Sequence, residues 1–249
     1  MFLGKMAPIL GANRASNPLL IPDALHAWVG GYWATVDGGG GVTNVTSITN
    51  LIQPAYPLAP VVSSVDIRTT SIGPSGFAAW SNNNNFVISS VLPTVTLTQG
   101  TILFVGFGNI ANGGNILSLA TTPNGYSLAL EIYNGAGGIH DRISINGSYS
   151  LDAGPIAAAI ELWTWDLSLA SGSRKIRCYT YDSTNGSQTF QTNTSTASAP
   201  LLQRAYVGAI SGIGVTTGVI TATLQVSDKF VADADAAALM TTLRSAYGY

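Results

Sequence analysis

The chain has 249 residues, of which 46% are hydrophobic and only 9% are charged, whereas globular domains carry roughly a quarter charged residues. Ten Lys and Arg against twelve Asp and Glu leave a formal charge of −2, which argues against nucleic acid as a partner because phosphate binding requires clustered basic side chains. The high hydrophobicity excludes disorder, and no apolar stretch reaches the roughly 20 residues that a membrane helix needs.

The first 20 residues are predicted to form an irregular arm, since Pro8, Gly11 and Pro18 interrupt every regular pattern there. We expect this arm to anchor the chain on another subunit. No linker rich in proline and glycine divides the remainder, which predicts one domain over residues 21–249. Within it, apolar and polar residues alternate with period two, as in strands that bury one face. The alternating segments are 25–29, 94–98, 101–107, 128–133, 142–145, 159–165, 175–181, 205–210 and 219–226.

Turn residues separate these segments. Asn146-Gly147 and Asn185-Gly186 each lie between two apolar runs, which is typical of a β-hairpin because both turn positions accept a positive φ. Further turn signals are found at 38–41, 123–125 and 171–172. Many short strands connected in this way predict an all-β sandwich or barrel.

The end of the chain predicts its one helix, over residues 233–247. Apolar residues recur there at helical spacing, and Gly248 is a typical C-terminal stop. We expect Asp233 to cap the N-terminus, because its carboxylate can accept the exposed backbone N–H groups. The apolar side of this helix is predicted to pack on the sandwich.

Several segments resemble the concanavalin A-like lectin/glucanase superfamily, in the laminin G-like form found in phage and bacterial surface proteins. Residues 22–29 (PDALHAWV) are similar to the family's first strand, "L-x-x-W-L-D-A", although Gly30 stands at its acidic position. Residues 205–208 (AYVG) are similar to its "x-x-I-G" strand, and residues 233–249 resemble its closing helix. Further similar segments are 160–166, 174–186 and 220–230.

The resemblance implies a jelly-roll sandwich of two curved antiparallel sheets, a fold that hosts lectins, hydrolases and structural modules. The family's hydrolases carry acids along one strand in the form "E-x-D-x-x-E", and glycoside hydrolysis needs two carboxylates that flank the scissile bond. The chain has two glutamates, Glu131 and Glu161. Glu161 shares its face with Trp163 and Trp165, and Asp166 points the other way. The catalytic pattern is absent, so we expect no enzymatic activity.

A single cysteine, Cys178, excludes a disulfide framework and a multi-cysteine metal cage. It lies in an alternating strand, and we interpret it as a core residue rather than a nucleophile paired with His26 or His140. Residues 182–186 offer two side-chain oxygens in a turn, as in the calcium loops of legume-type lectins of the superfamily. Calcium prefers roughly six to eight oxygen ligands, so we favour a simple hairpin turn and predict no metal and no cofactor.

Glycan recognition combines an aromatic ring with hydrogen-bonding amides, and such a cluster begins at Trp80, where an apolar ring precedes a run of asparagines. The predicted carbohydrate site comprises Trp80, Asn82, Asn83, Asn84, Asn85, Trp33 and Tyr126. The alternative interpretation is that Trp80 fills the core and that the asparagines form a turn.

Together these observations predict a non-enzymatic structural and attachment protein on the surface of a virus particle, such as a phage capsid decoration, head-fibre, tail-fibre or tail-tip subunit. We expect it to self-associate, as a trimer by analogy with fibres. We also expect contact with other virion proteins through residues 1–20 and binding to host surface glycans. The alternative is a secreted bacterial carbohydrate-binding module with the same Trp80 site. A polysaccharide hydrolase has the least support.

Overall fold

A computed structural model of the chain describes residues 20–60, 67–82, 88–108, 114–122, 125–135, 138–146, 148–155, 158–171, 173–182, 187–207 and 219–249. The predicted N-terminal arm lies outside this part, apart from Leu20. The strands are β1 (Ala24–Gly39), β2 (Val42–Asn50), β3 (Ala59–Pro60), β4 (Ile67–Ile72), β5 (Phe77–Asn82), β6 (Ile88–Thr96), β7 (Gln99–Gly108), β8 (Gly114–Thr122), β9 (Gly125–Gly135), β10 (Gly138–Ile145), β11 (Ser148–Pro155), β12 (Ala158–Asp166), β13 (Arg174–Asp182), β14 (Ser187–Ser195), β15 (Leu201–Val207) and β16 (Val219–Ser227). One helix in the described part, α1 (Asp233–Tyr247), follows them. The all-β fold with a C-terminal helix is therefore confirmed.

The strands form two sheets, and the pairings within them are antiparallel. The nine-stranded sheet has the order β1-β2-β4-β5-β16-β7-β12-β13-β14, and the seven-stranded sheet has the order β11-β10-β9-β8-β15-β6-β3. Because β1 also pairs with β16, the β1 end of the nine-stranded sheet folds back on itself.

The main core lies between the two sheets, where alternate residues of each strand point inward. Its members include Trp28, Phe104, Trp163, Trp165 and Leu224 of the nine-stranded sheet, and Leu92, Leu128, Leu130, Ile143 and Leu202 of the seven-stranded sheet. Trp163 and Trp165 are fully buried there. Trp165 Nε1 donates to the carbonyl of Leu97 at 3.0 Å, so this buried indole is satisfied.

A second core covers the outer face of the nine-stranded sheet. Helix α1 packs Ala236, Met240, Leu243 and Tyr247 against that face, and all four are fully buried. The hydroxyl of Tyr247 donates to Thr223 Oγ1 at 2.6 Å. The central strands β7, β12 and β16 of the nine-stranded sheet are thus covered on both faces, by the second sheet and by the helix.

Helix α1 begins and ends where the sequence predicts, but Asp233 is not its N-cap. Ala232 holds that position with extended backbone (φ −71°, ψ 161°). The carboxylate of Asp233 instead accepts hydrogen bonds from Arg177 and Tyr179 on β13, which joins the start of the helix to the sheet. Burial, reinforced by this carboxylate, raises the pKa of Tyr179. Gly248 ends the helix in the left-handed conformation at φ 78°, as predicted.

Each predicted strand segment overlaps a strand of the structure, but several strands are longer than predicted: β1 continues to Gly39, and β6 begins at Ile88. Asn146 has φ 49° in a two-residue connection whose flanking residues, Ile145 and Ser148, pair directly, so the Asn-Gly hairpin is confirmed. Strand β6 ends before the predicted limit of residue 98: the N–H of Leu97 donates to the carbonyl of Pro200 at 2.8 Å, in register with the β15 pairing. Pro200 has no N–H to return this bond, so the ladder stops there. Residues 208–210 of the predicted eighth segment lie outside the described residues.

Strand β1 changes partner at a pair of glycines. It pairs with β16 up to Val29, and its continuous pairing with β2 begins at Trp33. Gly31 has φ 93°, which favours glycine. A Cβ on Gly30 would lie 1.9 Å from the carbonyl oxygen of Ala78 on β5. This close approach explains why the acidic residue of the resembled family does not stand at position 30, since no side chain fits there.

We expect Gly30→Ala to lower the free energy of unfolding by about 3 kcal/mol, because β5 must move away from β1 to admit the methyl group. Denaturant unfolding monitored by tryptophan fluorescence measures the change. Gly40→Ala is the matched control: Gly40 has φ 62° and no atom near its Cβ position, so the cost there is about 1 kcal/mol of backbone strain. Equal losses in the two variants would contradict the close approach.

Candidate functional site

The predicted carbohydrate platform at Trp80 is wrong, because its ring is fully buried in the core between the sheets. Strand β5 lies between β4 and β16, and Trp80 pairs with Thr69 and Thr221 on these neighbours. The inward face of a central strand has no access to a sugar ring. The structure therefore supports the alternative interpretation, in which Trp80 fills the core.

The other predicted site residues are not brought together with Trp80. Asn82 ends β5, and its side chain lies outside the described residues, as do Asn83, Asn84 and Asn85. Tyr126 belongs to β9, with its side chain outside the described part. Trp33 is half-buried in the outer half of β1 and packs against the main core. Of the two predicted tryptophans, Trp33 is partly exposed and Trp80 is buried.

Cys178 and His26 lie in separate settings that suit structural roles. Cys178 is 1% exposed and belongs to the main core, as the sequence predicts. His26 is 1% exposed and stacks on Trp28, with ring centroids 5.5 Å apart. Asn50 Nδ2 donates to His26 Nδ1 at 2.8 Å. Since Asn50 Oδ1 already accepts three backbone N–H groups, including that of Ala27, the amide orientation is fixed and His26 carries its proton on Nε2.

Glu161 faces the core between the sheets. It lies two residues before Trp163 on β12 and is 1% exposed. Trp163 Nε1 donates to Glu161 Oε2 at 2.7 Å. Burial and the indole hydrogen bond hold this carboxylate inside the molecule, away from a solvent-filled cleft.

Glu131 faces the opposite way, out of the seven-stranded sheet. Its neighbours Leu128 and Leu130 on β9 belong to the main core, so Glu131 lies on the outer face. Arg142 is its direct partner on β10, and Arg142 Nε donates to Glu131 Oε2 at 2.7 Å. The side chains are 8% exposed for Glu131 and 21% exposed for Arg142. The carboxylate is therefore recessed, and the guanidinium reaches solvent.

Further polar groups accompany this ion pair on the same outer face. Ser144 follows Arg142 by two residues on β10 and is 1% exposed. On β15, Arg204 Nη1 donates to the hydroxyl of Tyr206 at 3.3 Å, and Tyr206 is 7% exposed. We name these side chains the polar face: Glu131, Arg142, Ser144, Arg204 and Tyr206.

The polar face combines acceptors and donors below the protein surface. Carboxylate oxygens accept hydrogen bonds, guanidinium groups donate several in a fixed geometry, and hydroxyl groups do both. Arg142 and Arg204, on strands separated by β9 and β8, are the partly exposed members that can donate to a polyhydroxylated ligand. Sequence reasoning missed the polar face because the five residues come from three strands, and only the register of β9 with β10 places Arg142 opposite Glu131. The sequence did contain one signal for this site. In residues 128–133 and 142–145, apolar residues alternate with polar ones, which places Glu131 and Arg142 on the face of the sheet that points away from the core.

Across the described segments, no three His, Cys, Asp or Glu side chains form a group that could hold a metal ion. The turn considered for calcium, residues 183–186, lies outside those segments. No helix in the described part of the chain has the length and apolar character to cross a bilayer.

Comparison with known proteins gives likeness of fold only. No protein-family model matches the chain, and no curated protein matches it by sequence. A mutant GH54 α-L-arabinofuranosidase soaked with 4-nitrophenyl α-L-arabinofuranoside is similar, with a TM-score of 0.61 and 9% identity over 83% of this chain and 52% of that one. An arabinofuranosidase complexed with arabinofuranosyl-α-1,2-xylobiose has a TM-score of 0.60 and 9% identity, with the same coverage of 83% and 52%.

A sialidase mutant from Trypanosoma rangeli that displays trans-sialidase activity is also similar, with a TM-score of 0.54 and 9% identity over 92% of this chain and 34% of that one. The chain thus spans about half the length of the arabinofuranosidases (52%) and a third of the sialidase (34%). The neighbours are β-rich carbohydrate-active proteins, and the fold is compatible with the lectin/glucanase-like sandwich that the sequence resembles.

The buried histidine makes a pH dependence of stability testable. Burial lowers the pKa of His26 to about 4, below the roughly 6.5 of an unfolded chain. Its contribution to stability is therefore complete above pH 6.5 and is lost as the pH falls toward 4. We expect the free energy of unfolding to fall by about 2 kcal/mol between pH 7 and pH 5. Urea unfolding at a series of pH values measures it.

The variant His26→Gln is expected to be less stable at pH 7, because it loses the stacking on Trp28, but to lose little further stability at pH 5. His140→Gln removes the other histidine and serves as the control, which keeps the pH dependence of the parent chain. A slope that survives in His26→Gln would assign the titration to another group.

Proposed function

We propose that the chain is a non-enzymatic carbohydrate-binding protein of a virus-particle surface, with its glycan site on the polar face. The observation that carries the proposal is the placement of the two glutamates. Glu161 points into the core from the nine-stranded sheet, whereas Glu131 points outward from the seven-stranded sheet. Stacked sheets pack about 10 Å apart, so the backbone of the seven-stranded sheet separates the two carboxylates.

This placement argues against hydrolysis by the two glutamates. A glycosidase needs two carboxylates on opposite sides of one glycosidic bond, both in contact with the substrate. Glu161 and Glu131 face different spaces, and each carboxylate already has a partner, the indole of Trp163 and the guanidinium of Arg142. A bound sugar at the polar face would meet Glu131 but not Glu161, and Arg142 separates Glu131 from Asp152, the acid opposite Arg142 on β11.

The polar face supports recognition because its groups are held in place before a ligand arrives. The Glu131–Arg142 pair spans two adjacent strands, and Arg204 is oriented by the hydroxyl of Tyr206. Fixed donors and acceptors lower the entropy cost of binding. The likeness of fold to arabinofuranosidases and a sialidase, proteins whose ligands are carbohydrates, is in keeping with such a ligand.

The place on a particle is proposed from the sequence. The chain is poor in charge, with 9% charged residues, so packing against many copies or neighbours requires little desolvation of charge. The resembled modules recur on phage and bacterial surfaces. In this proposal the chain is a phage capsid decoration, head-fibre or tail-fibre subunit that contacts other virion proteins through residues 1–20.

Glycan binding is expected to depend on the polar face. An array of bacterial surface glycans, followed by calorimetry with the best ligand, should give at least a tenfold loss of affinity in Arg142→Gln and in Arg204→Gln, since each removes charged donors. Lys175→Gln is the matched control, because Lys175 is exposed on β13 of the other sheet. The ligand should be recovered uncleaved after long incubation.

Arg204→Gln guards against a loss of folding, because it removes the partly buried hydrogen bond to the Tyr206 hydroxyl, which is long at 3.3 Å. Thermal unfolding must match the parent chain before affinities are compared. Binding that is equal in all variants would move the glycan site elsewhere. Release of sugars that stops in Glu161→Gln would establish a hydrolase and overturn the proposal.

The particle assignment predicts assembly through the N-terminal arm. We expect light scattering to give a trimer or larger species for the full chain, and a smaller species for a chain without residues 1–20. A mass that truncation leaves unchanged would contradict anchoring by the arm and would favour the free-standing carbohydrate-binding module.

A further inference from the structure

The free edges of the two sheets differ in how they are protected. An edge strand presents unpaired backbone N–H and C=O groups, and proteins blunt such edges with short strands, charges, proline or bulges. In the described part of the chain, the strands at free edges are β3 and β11 of the seven-stranded sheet, β14 of the nine-stranded sheet and the outer half of β1.

Three of these edges carry protective features. Strand β3 has two residues and ends in Pro60. Strand β11 contains the exposed Asp152 and ends in Gly154-Pro155. The outer half of β1 carries the exposed Asp37, and its pairing with β2 shifts register at more than one point. Each feature disfavours the addition of another strand.

Strand β14 has none of these features. Its sequence from Ser187 to Ser195, SQTFQTNTS, contains no charged residue, no proline and no glycine. All nine residues pair in unbroken register with Arg174–Asp182 of β13, so no bulge twists the edge away. At its end, Thr192 and Thr194 are exposed on one face and Asn193 is exposed on the other. Neither face of the strand is covered there.

We infer that the β14 edge pairs antiparallel with the β14 edge of a second copy of the chain, which joins the two nine-stranded sheets into one continuous sheet. A second copy is the favoured occupant because the edge is uncharged over its whole length. Identical charged edges would repel each other across a two-fold axis, whereas Ser, Thr, Asn and Gln can hydrogen bond to one another in cross-strand pairs. An interface of this kind is self-complementary.

This contact rests on the self-association in the proposed function and adds to it a surface other than the arm. Its ladder involves residues 187–195 of each copy, none of which belongs to the arm. The truncated chain should therefore remain a dimer even if the arm holds a larger assembly together. Glycan binding is measured separately, so that failure of the polar face and failure of the β14 contact give different results.

Sedimentation equilibrium on the full chain tests the contact. The double variant Thr192→Lys/Thr194→Lys places two positive charges on each edge and is expected to weaken the β14-dependent association step at least tenfold. Thr241→Lys/Thr242→Lys is the matched control, with the same residue types and the same charge change on the exposed side of α1. It should associate like the parent chain.

Distances between the copies identify the surface directly. Cys178 is 1% exposed, so spin labels can be attached selectively to Thr192→Cys and, separately, to Thr194→Cys. If the two-fold axis lies near Gln191, the middle of β14, the label-to-label distance should be about 14 Å longer at position 194, because each copy moves two residues of about 3.4 Å away from the axis.

Three results would overturn the inference. The first is a monomer for the parent chain at high micromolar concentration. The second is an association that both lysine pairs weaken equally or that neither weakens. The third is a label distance that is the same at both positions. A monomer that instead captures an extended peptide at this edge would assign β14 to a different partner.

Discussion

Burial of the central strands of the nine-stranded sheet on both faces is the constraint from which most of the structure follows. One face packs on the seven-stranded sheet and the other packs on α1. Strands buried on both sides cannot alternate between apolar and charged residues, because an unpaired buried charge costs several kcal/mol. The buried polar positions of β7, β12 and β16 are threonines, a serine and a glutamine, together with Glu161, which accepts the indole N–H of Trp163. A sheet buried in this way requires few charged residues, which accounts for the low charge of the chain. The low charge therefore indicates the architecture more than it indicates the function.

The buried polar side chains show how this requirement is met. Thr101 Oγ1 donates to the carbonyl of Lys229 at 2.7 Å, and the backbone N–H of Val231 donates to Thr164 Oγ1 at 2.9 Å. These bonds attach the segment before α1 to two central strands. At the far side, Gln225 Oε1 accepts the backbone N–H of Ile21 at 2.9 Å. Threonine and glutamine thus serve as attachment points for chain segments that cross the sheet, a role that charged side chains could fill only with buried partners.

The sequence predicted an element correctly where burial of one of its faces produces a regular spacing of apolar residues. The bounds of α1 and the strands around Thr101, Trp163 and Cys178 follow from local periodicity. Prediction failed for β2, β5 and β14, whose threonine, serine and asparagine residues resemble turns until a neighbouring strand supplies their hydrogen bonds. The prediction of the site was the least accurate. The sequence around Trp80 does not show whether its ring points inward or outward, and only the position of β5 between β4 and β16 determines the orientation.

The same layer geometry determines where chemistry could arise in this fold. Both faces of the central strands β7, β12 and β16 are occupied, so a ligand must use the seven-stranded sheet or the outer strands of the nine-stranded sheet. On the outer face of that sheet, Glu131 is already neutralised by Arg142, and its flanking cross-strand pair is Ser144 with Ala129. A second carboxylate at position 144 would share the face with Glu131, two residues along the sheet. On this face Arg142 lies between Glu131 on β9 and the exposed Asp152 on β11, and the inward orientation of Glu161 keeps the other glutamate off the face.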